Sequence, residues 1–141
     1  MAARFPLIVD GSGTPAIKEI VSGDVLDLTG LQVKLGTEAT LTDGATVAWD
    51  VSASPIAKLT LGGNRTLSAP TNAVGSGQYI SLLVIQDSTG SRTLTWNAAY
   101  EFTGDTAPTL TTTASKGDLF TFRYNGSKWL EVGRNLNLTL S

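Results

Sequence analysis

Alternation of apolar and polar residues runs through most of this chain from Thr37 onward, and this period constrains the fold more than any other feature. Ala39-Thr40-Leu41-Thr42 and the stretch Thr46 to Val51 are two examples. A period of two places successive side chains on opposite faces of a strand, which is typical of half-buried β-strands. Neither a heptad nor an amphipathic helical stripe appears in the sequence, so we predict an all-β protein.

Short Gly, Asn and Asp motifs divide the predicted strands. Asp43-Gly44, Gly62-Gly63-Asn64 and Asn125-Gly126 predict hairpins, and Asn125-Gly126 is the typical pair for a type I′ turn. Tyr79 to Gln86 is nearly all apolar, which predicts a central strand covered on both faces. We therefore expect an antiparallel β-sandwich or a barrel-like domain, preceded by an extended arm.

The predicted arm covers residues 1–36 and the β domain covers residues 37–141. The arm contains short apolar clusters at Phe5 to Val9, Ile17 to Val21 and Val25 to Leu28, separated by Gly, Ser and Pro. Each cluster is too short for an independent helix, so the pattern favours extended pieces joined by turns. A segment of this kind cannot form a core alone, and we expect it to lie on the domain, on a sister subunit or on a larger partner.

The charge pattern argues against nucleic-acid and membrane partners. Charged residues make up 16% of the chain, the net charge is −2, and no basic run exists, so no electrostatic footprint for nucleic acid or an anionic membrane is present. The opening Met1 to Asp10 is not a secretory signal, because its apolar stretch is only a few residues long. We expect a protein that is made in the cytoplasm and stays soluble.

Catalysis is not expected, because the chain contains no His and no Cys. Their absence excludes Ser-His-Asp and Cys-His systems. A hydrolase with two carboxylates would have to draw on a small set of acidic residues, namely Asp50, Asp87, Glu101, Asp105 and Asp118. Asp87 and Asp118 fall at a turn and at a strand start, where carboxylates usually accept backbone N–H bonds. The sequence also lacks a Ca²⁺-loop pattern and a phosphate loop, so we expect no metal and no cofactor.

Two groups of apolar residues predict contacts between subunits. The three tryptophans, Trp49, Trp96 and Trp129, lie in predicted strands and serve either the core or a subunit interface, with a sugar-stacking platform as a weaker alternative. Leu136, Leu138 and Leu140 alternate cleanly at the end of the chain. They predict a final strand or one that pairs with a neighbouring subunit.

Several strings in the sequence resemble a β module of bacteriophage virion proteins. They are Trp49-Asp50, Leu59-Thr60-Leu61-Gly62-Gly63-Asn64-Arg65-Thr66-Leu67, Pro70-Thr71-Asn72, Ile85 to Trp96 and Ala107-Pro108-Thr109-Leu110. The opening Met1 to Asp10, with Ile17-Lys18-Glu19-Ile20 and Ser22-Gly23-Asp24, is similar to the N-terminal segment of phage structural proteins. The module occurs in tail-fibre-like, head-fibre and capsid-associated proteins.

The resemblance implies a homotrimer or another small ring on the phage particle. Our main expectation is a capsid decoration (cement) protein on the capsid surface of the virion, assembled in the host cytoplasm and bound to the major capsid protein or another virion protein. The arm would make that contact through its apolar side chains, which are Phe5, Leu7, Ile8, Val9, Ile17 and Ile20. The alternative is a short tail or head fibre, in which the loops Asn72 to Gly77 and Asn97 to Pro108 would meet a host receptor such as a glycan.

Overall fold

The computed structural model describes residues 36–141 and the short strands Leu7–Val9 and Pro15–Ile17. Its elements, in chain order, are β1 (Leu7–Val9), β2 (Pro15–Ile17), β3 (Ala39–Thr40), β4 (Thr46–Val47), β5 (Ile56–Leu61), β6 (Arg65–Leu67), β7 (Tyr79–Gln86), β8 (Leu94–Trp96), β9 (Tyr100–Glu101), a 3₁₀ turn (Thr103–Asp105), β10 (Lys116–Tyr124) and β11 (Trp129–Thr139). Regular structure in this part of the chain is almost entirely strand, which confirms the predicted all-β class.

The strands from β3 to β11 form two sheets. The large sheet has the order β3-β5-β7-β10-β11-β9, and the small sheet has the order β4-β6-β8. From β3 to β8 the chain alternates between the sheets, so strands that follow one another do not pair. Instead β3, β5 and β7 are parallel neighbours, and so are β4, β6 and β8. We call this arrangement, residues 39–96, the parallel ladder.

The parallel ladder corrects two of the predicted hairpins. The chain does change direction at Asp43-Gly44 and at Gly62-Gly63-Asn64, but the strand that follows each turn joins the other sheet. Thr46 pairs with Thr66 of the next turn of the ladder rather than with the strand directly before it. The hairpin prediction was wrong at these two turns, because turn residues determine where a chain bends and not which strand becomes its partner.

The predicted hairpin at Asn125-Gly126 is confirmed. β10 and β11 pair antiparallel, with Tyr124 opposite Trp129. The predicted type I′ turn is wrong, because that turn needs a positive φ at both central residues. Of the two, Gly126 has a positive φ (+100°) and Asn125 does not. The loop instead contains four residues, 125–128, and it is closed by the Asn125 amide N–H, which donates to the Lys128 carbonyl at 3.0 Å.

The core lies between the two sheets. The large sheet contributes Ala57, Leu59, Leu61, Ile80, Leu82, Val84, Phe120 and Phe122, and each is at most 2% exposed. The small sheet faces them with Val47, Leu67 and Leu94. Alternate positions along each strand are therefore buried, as the period-two pattern requires.

β7 is the central strand that the sequence predicts, but its two faces differ. It has β5 on one side and β10 on the other. Its inward residues are buried, whereas Tyr79 on the outward face is 51% exposed, and Leu83 and Ile85 are half-buried. The prediction of a strand covered on both faces is therefore correct for the inner face, while the outer face remains partly open.

An aromatic cluster fills the core where β8, β9 and β10 meet. The ring of Trp96 packs edge-to-face against Tyr100, Phe102 and Phe120, with centroid distances of 5.3, 5.1 and 5.0 Å. Edge-to-face pairs add stabilisation beyond the burial of apolar area, about 0.5–1.5 kcal/mol each. Burial raises the pKa of the Tyr100 hydroxyl far above its ordinary value.

Side chains in the turns link successive strands of the parallel ladder. Arg65 forms two hydrogen bonds to Asp43, at 2.7 and 2.6 Å, across one turn of the ladder. The Asn64 side-chain oxygen accepts a bond at 3.1 Å from the amide N–H of Thr93 on the next turn. These bonds tie each turn to its neighbour on the polar edge of the ladder.

The chain divides into two compact units, Met1–Val33 and Lys34–Ser141. Within the first unit, β1 and β2 pair antiparallel, with Leu7 opposite Ile17. The predicted arm over 1–36 and domain over 37–141 stay a prediction. In the described part of the chain, no helix is long and apolar enough to cross a membrane.

Candidate functional site

Loops gather at one end of the second unit. They comprise residues 72–77, 97–99 and 125–128. The amide N–H of Gly77 donates to the Tyr124 carbonyl at 2.8 Å, and the amide N–H of Trp129 donates to the Ala99 carbonyl at 2.8 Å. The three loops are thus held against the ends of β7, β9, β10 and β11, and we call this surface the loop end.

Lys128 connects two of these loops. Its ammonium group donates to the Ala98 carbonyl and lies 3.4 Å from the Glu101 carboxylate. Because both charged side chains are partly exposed, this ion pair adds little stability. Its effect is to hold the loop at 97–99 close to the hairpin turn at 125–128.

The 72–77 loop is fixed at its base by amide side chains. The Asn72 amide donates to Asp50 Oδ2 at 2.9 Å. Gln78 accepts a bond from the Val74 amide N–H at 2.9 Å and donates to the Val51 carbonyl at 3.2 Å. The loop is therefore anchored at both ends, while Val74 at its tip is 76% exposed.

The Asn125 side chain holds the third loop. Its Oδ1 accepts bonds from the amide N–H groups of Ser127 and Lys128, at 2.9 and 2.7 Å. Asn commonly forms such local bonds with backbone groups two and three residues further on. The Asn125 side chain thus helps to hold the turn at residues 125–128.

The exposed side chains of the loop end are mostly neutral. They are Asn72, Val74, Ser76, Asn97, Asn125 and Ser127. Amides and hydroxyls both donate and accept hydrogen bonds, and they do not titrate near neutral pH. This surface is suited to neutral polar partners, with contacts that depend weakly on pH and salt.

A separate cavity of about 220 Å³ lies beside the start of β8. Its lining residues are Arg92, Thr93, Leu94, Pro108, Thr109, Leu110 and Thr112. Arg92 is already paired with Asp87, whose Oδ2 accepts bonds at 3.1 and 2.9 Å. The Arg92 guanidinium is thus paired within the chain, and the other residues that line the cavity are uncharged.

The carboxylates considered for catalysis have structural partners instead. Asp50 accepts bonds from the Asn72 side chain, from Ser52 and from the Ala53 amide N–H, and these bonds lower the pKa of its carboxyl. Arg92 is the main reason that the pKa of the Asp87 carboxyl is also lowered. The two groups remain ionised acceptors at neutral pH, which is unsuited to proton donation.

Asp118 is buried where β10 begins. Its two oxygens accept bonds from the Thr111 amide N–H and hydroxyl, both at 2.7 Å, and from the Asn137 amide N–H at 2.9 Å. It joins the 106–115 segment to the end of β11. As the sequence suggested, a carboxylate at a strand start here bonds to backbone donors.

The remaining two candidate carboxylates lie at the surface near the 3₁₀ turn. Glu101 pairs with Lys128, and Asp105 is exposed with a φ of +54°. Among the residues that the structure describes, no group of three or more acidic side chains is placed to hold a metal ion. The expectations of no enzyme activity and no cofactor stay predictions.

The predicted partner-contact residues lie in the first unit. Leu7, Ile8 and Val9 form β1, and Ile17 ends β2. Phe5 and Ile20 fall outside the described residues. Their role in contacting another virion protein stays a prediction.

The six predicted subunit-interface residues fall into two groups. Trp49 and Trp129 are 1% and 2% exposed and belong to the core, and Trp96 is half-buried in the aromatic cluster. Leu136 and Leu140 are 41% and 43% exposed, and Leu138 is half-buried. The tryptophans therefore have the core role that the sequence left open, and an interface role stays a prediction that depends mainly on the leucines.

Sequence reasoning missed the residues that build the loop end. Gln78 and Lys128 bridge loops that lie far apart in sequence, and no local motif marks either of them. Asn72 and Asn125 could be recognised in the sequence as turn residues, because each lies next to other residues that favour turns. That signal indicated turns but not their meeting at one end of the domain.

The second unit is an all-β domain whose connecting loops gather at one end. Residues 37–129 match the model of a family described as "Putative phage tail fibre C-terminal domain". The chain belongs to this family. Among curated proteins, no match is found. The family confirms the predicted resemblance, and the protein is a structural component of a bacteriophage virion.

Proposed function

We propose that this protein is part of a phage tail fibre and takes part in attachment to the host cell. The observation that carries the proposal is the match of residues 37–129 to a tail fibre C-terminal domain. This match supports the fibre alternative of the sequence analysis better than the expected capsid decoration protein. The chain would act by binding, without cleaving its partner.

The loop end is the surface we assign to the attachment step. Its loops are anchored through Gln78, Asn125 and Lys128 to a sheet with a buried core. Binding residues commonly lie on loops that a rigid scaffold positions. Neutral amides and hydroxyls fit a partner rich in hydroxyl groups, such as a surface glycan.

The location of the protein on the particle tests the first part of this proposal. Purified particles are labelled with antibodies against the full chain, and its copy number is measured relative to the major capsid protein. We expect label at the tail and a small number of copies. Label spread over the head, with copies in proportion to the capsid protein, would show that the decoration prediction was right.

Competition for host cells tests the second part. We expect the purified full chain to reduce phage adsorption to host cells, since it would occupy the same receptors. A variant with Val74→Asp and Ser76→Asp places charge on the tip of the 72–77 loop and should compete at least tenfold less well. The matched control, Thr66→Asp with Ser88→Asp, adds the same two charges at exposed positions of β6 and of the turn after β7, outside the loop end. Equal competition by all three proteins would reject the loop end as the attachment surface.

A further inference from the structure

The outer face of the large sheet has a recess near the end where β7 begins. Burial alternates along β7 and β10, so every second side chain of these strands points outward. Among the outward positions, Ser81 of β7 lies opposite Thr121 of β10. The pairs on either side of it have longer side chains, Tyr79 with Arg123 and Leu83 with Leu119. The surface of the sheet therefore dips at Ser81 and Thr121.

This dip forms a groove with a volume of about 310 Å³. Its lining residues are Pro55, Ile56, Tyr79, Ile80, Ser81 and Thr121. Ile56 of β5 lies beside Ser81 in the parallel pair and gives the groove an apolar wall. The volume is at the lower end of the range for small-molecule sites, about 300–1,000 Å³. The groove therefore has room for one ring-sized group, such as a single sugar, rather than for a protein segment.

Tyr79 gives the groove an aromatic border. The residue is 51% exposed, and the aromatic pairs within the described part of the chain do not include it. The face of an aromatic ring carries partial negative charge, so the C–H groups on one face of a sugar pack well against it. An exposed ring beside an apolar recess can thus hold one face of a pyranose.

Arg123 adds a positive charge at the same border. It lies directly opposite Tyr79 in the antiparallel pair, and such pairs have their Cβ atoms about 4.5–5.5 Å apart. Arg123 is exposed, and the ion pairs within residues 36–141 involve other basic side chains. A guanidinium binds a carboxylate through two parallel hydrogen bonds. The border of the groove is therefore complementary to a ligand that carries one carboxylate.

This border adjoins the loop end. Tyr79 comes shortly after the 72–77 loop, and Arg123 comes shortly before the turn at residues 125–128. The amide N–H of Tyr124 donates to the Gln78 carbonyl at 2.8 Å, which holds the two strand ends together. A chain of sugars that lies on the neutral loops can therefore extend into the groove, where it meets a ring and a positive charge.

We propose that this groove binds a hexuronic acid residue of a polysaccharide on the host surface. The sugar ring lies in the groove with one face on Tyr79, and its carboxylate accepts hydrogen bonds from the Arg123 guanidinium. A single cation suits a carboxylate better than a phosphate group, which carries nearly two negative charges at neutral pH. The inference rests on the proposed attachment function and names the class of sugar that the site takes.

The experiment titrates the full chain with a tetrasaccharide of galacturonic acid and, separately, with the uncharged tetrasaccharide of galactose. Nuclear magnetic resonance spectra of the isotope-labelled chain report the affinity and the backbone amides that shift. We expect tighter binding of the acidic probe, with shifts centred on Tyr79, Ser81 and Arg123, and loss of this preference at high salt. Equal affinity for the two probes, no binding of the acidic probe, or shifts confined to another surface would overturn the proposal.

Variants at the border separate the charge from the ring. Arg123→Gln should lower the affinity for the acidic probe about tenfold, since one charge-assisted pair of hydrogen bonds is lost, and should leave the neutral probe unaffected. The matched control is Lys116→Gln, which removes a cation from the opposite end of the same strand. Tyr79→Ala should weaken both probes, whereas Tyr79→Phe should retain binding. If Arg123→Gln binds the acidic probe as tightly as Lys116→Gln does, the assigned role of Arg123 is wrong.

The titration uses purified sugars, so its result is independent of the adsorption experiment on host cells. A chain that competes for host cells but does not bind the acidic probe would reject the acidic-sugar site and leave the attachment role intact. A chain that binds the acidic probe beside Tyr79 and Arg123 but does not compete would support the site and reject the attachment role. Tighter binding of galactose 6-phosphate than of galacturonic acid would overturn the choice of a carboxylate.

Discussion

The parallel ladder and the β10–β11 hairpin follow different rules, although they share one sheet. In the hairpin, strands that follow one another in sequence pair directly across residues 125–128. In the ladder, each strand pairs with one that comes a full turn later, as Ala39 does with Ala57. The comparison teaches that short-range signals suffice for the hairpin, while the ladder depends on contacts between distant segments.

The two regions also differ in what holds them together. The hairpin contributes Phe120, Phe122 and Trp129 to the core and contains the buried Asp118. The turns of the ladder rely on partly exposed side-chain bonds such as Asp43–Arg65. We therefore expect substitutions in the hairpin to destabilise the domain most, and substitutions in the ladder turns to have smaller effects.

The largest effect is expected for Phe122→Ala. Its ring is fully buried and packs against Tyr100 and Phe102, so truncation should lower the free energy of unfolding by about 3–5 kcal/mol. Urea unfolding followed by tryptophan fluorescence measures this change. The control is Val132→Ala at an exposed position of β11, which should change it by less than about 0.5 kcal/mol. Similar changes in the free energy of unfolding for the two variants would show that the hairpin does not contribute most of the stability of the core.

A smaller loss is expected for Asp118→Ala. Removal of the carboxylate leaves the Thr111 amide N–H without its acceptor, at a cost of about 1–3 kcal/mol for an unsatisfied buried group, while the Asn137 amide N–H keeps the Thr111 hydroxyl as an acceptor at 3.0 Å. Thermal unfolding measures the loss. Asp105→Asn is the control, since Asp105 is exposed and Asn tolerates its φ of +54°. If both variants melt at the same temperature, the bonds of Asp118 contribute no net stability.

Gly90→Ala tests a turn of the ladder. Gly90 has a φ of +75°, and a Cβ there would lie 2.5 Å from the Thr112 carbonyl oxygen and 2.8 Å from the Ala114 nitrogen. We expect destabilisation of about 1–3 kcal/mol in urea unfolding, because the backbone must shift. Gly104→Ala shares the positive φ but has no neighbour within 4 Å, so it should cost less, about 1 kcal/mol. A larger loss of stability for Gly104→Ala than for Gly90→Ala would contradict the close approach of the Thr112 and Ala114 backbone to Gly90.

The smallest effect is expected for Asp43→Asn. Bonding to Arg65 lowers the pKa of the Asp43 carboxyl, so the pair stabilises the folded state fully above the ordinary value near pH 4. That contribution is lost as the pH falls through the lowered pKa. Stability of the unmodified chain should fall more steeply below pH 4 than that of the variant, and high salt should reduce the difference at neutral pH. If the stability of the unmodified chain and that of Asp43→Asn changed with pH in the same way, the stabilising role of the Asp43–Arg65 pair would be contradicted.

The sequence predicted the strands better than their partners. Period-two alternation indicated β5 and the end of β11, whereas the nearly all-apolar run from Tyr79 to Gln86 indicated β7. The turn at Asn125-Gly126 was found, since it joins strands that pair locally. The turns at Asp43-Gly44 and Gly62-Gly63-Asn64 gave the same type of signal, but the choice of partner there depends on layers that form only when distant strands meet.

The candidate site was predictable only in part. The loops at residues 72–77 and 97–108 were expected to reach outward, because Gly, Asn and Pro favour loops. Their gathering at one end depends on Gln78 and Lys128, whose bonds cross long sequence separations. The half-buried outer face of β7 was foreseen in part, because the nearly all-apolar run from Tyr79 to Gln86 predicted a strand covered on both faces.

The parallel ladder has turns of unequal size. Position 39 pairs with position 57, whereas position 57 pairs with position 82, and the additional residues are accommodated in the loop before β7. The register of β5 and β7 therefore does not depend on the length of the loop that precedes β7. Under the proposed attachment role, the 72–77 loop could be lengthened or replaced while the same sheet is retained, so a change in binding and an unchanged architecture are compatible within one small domain.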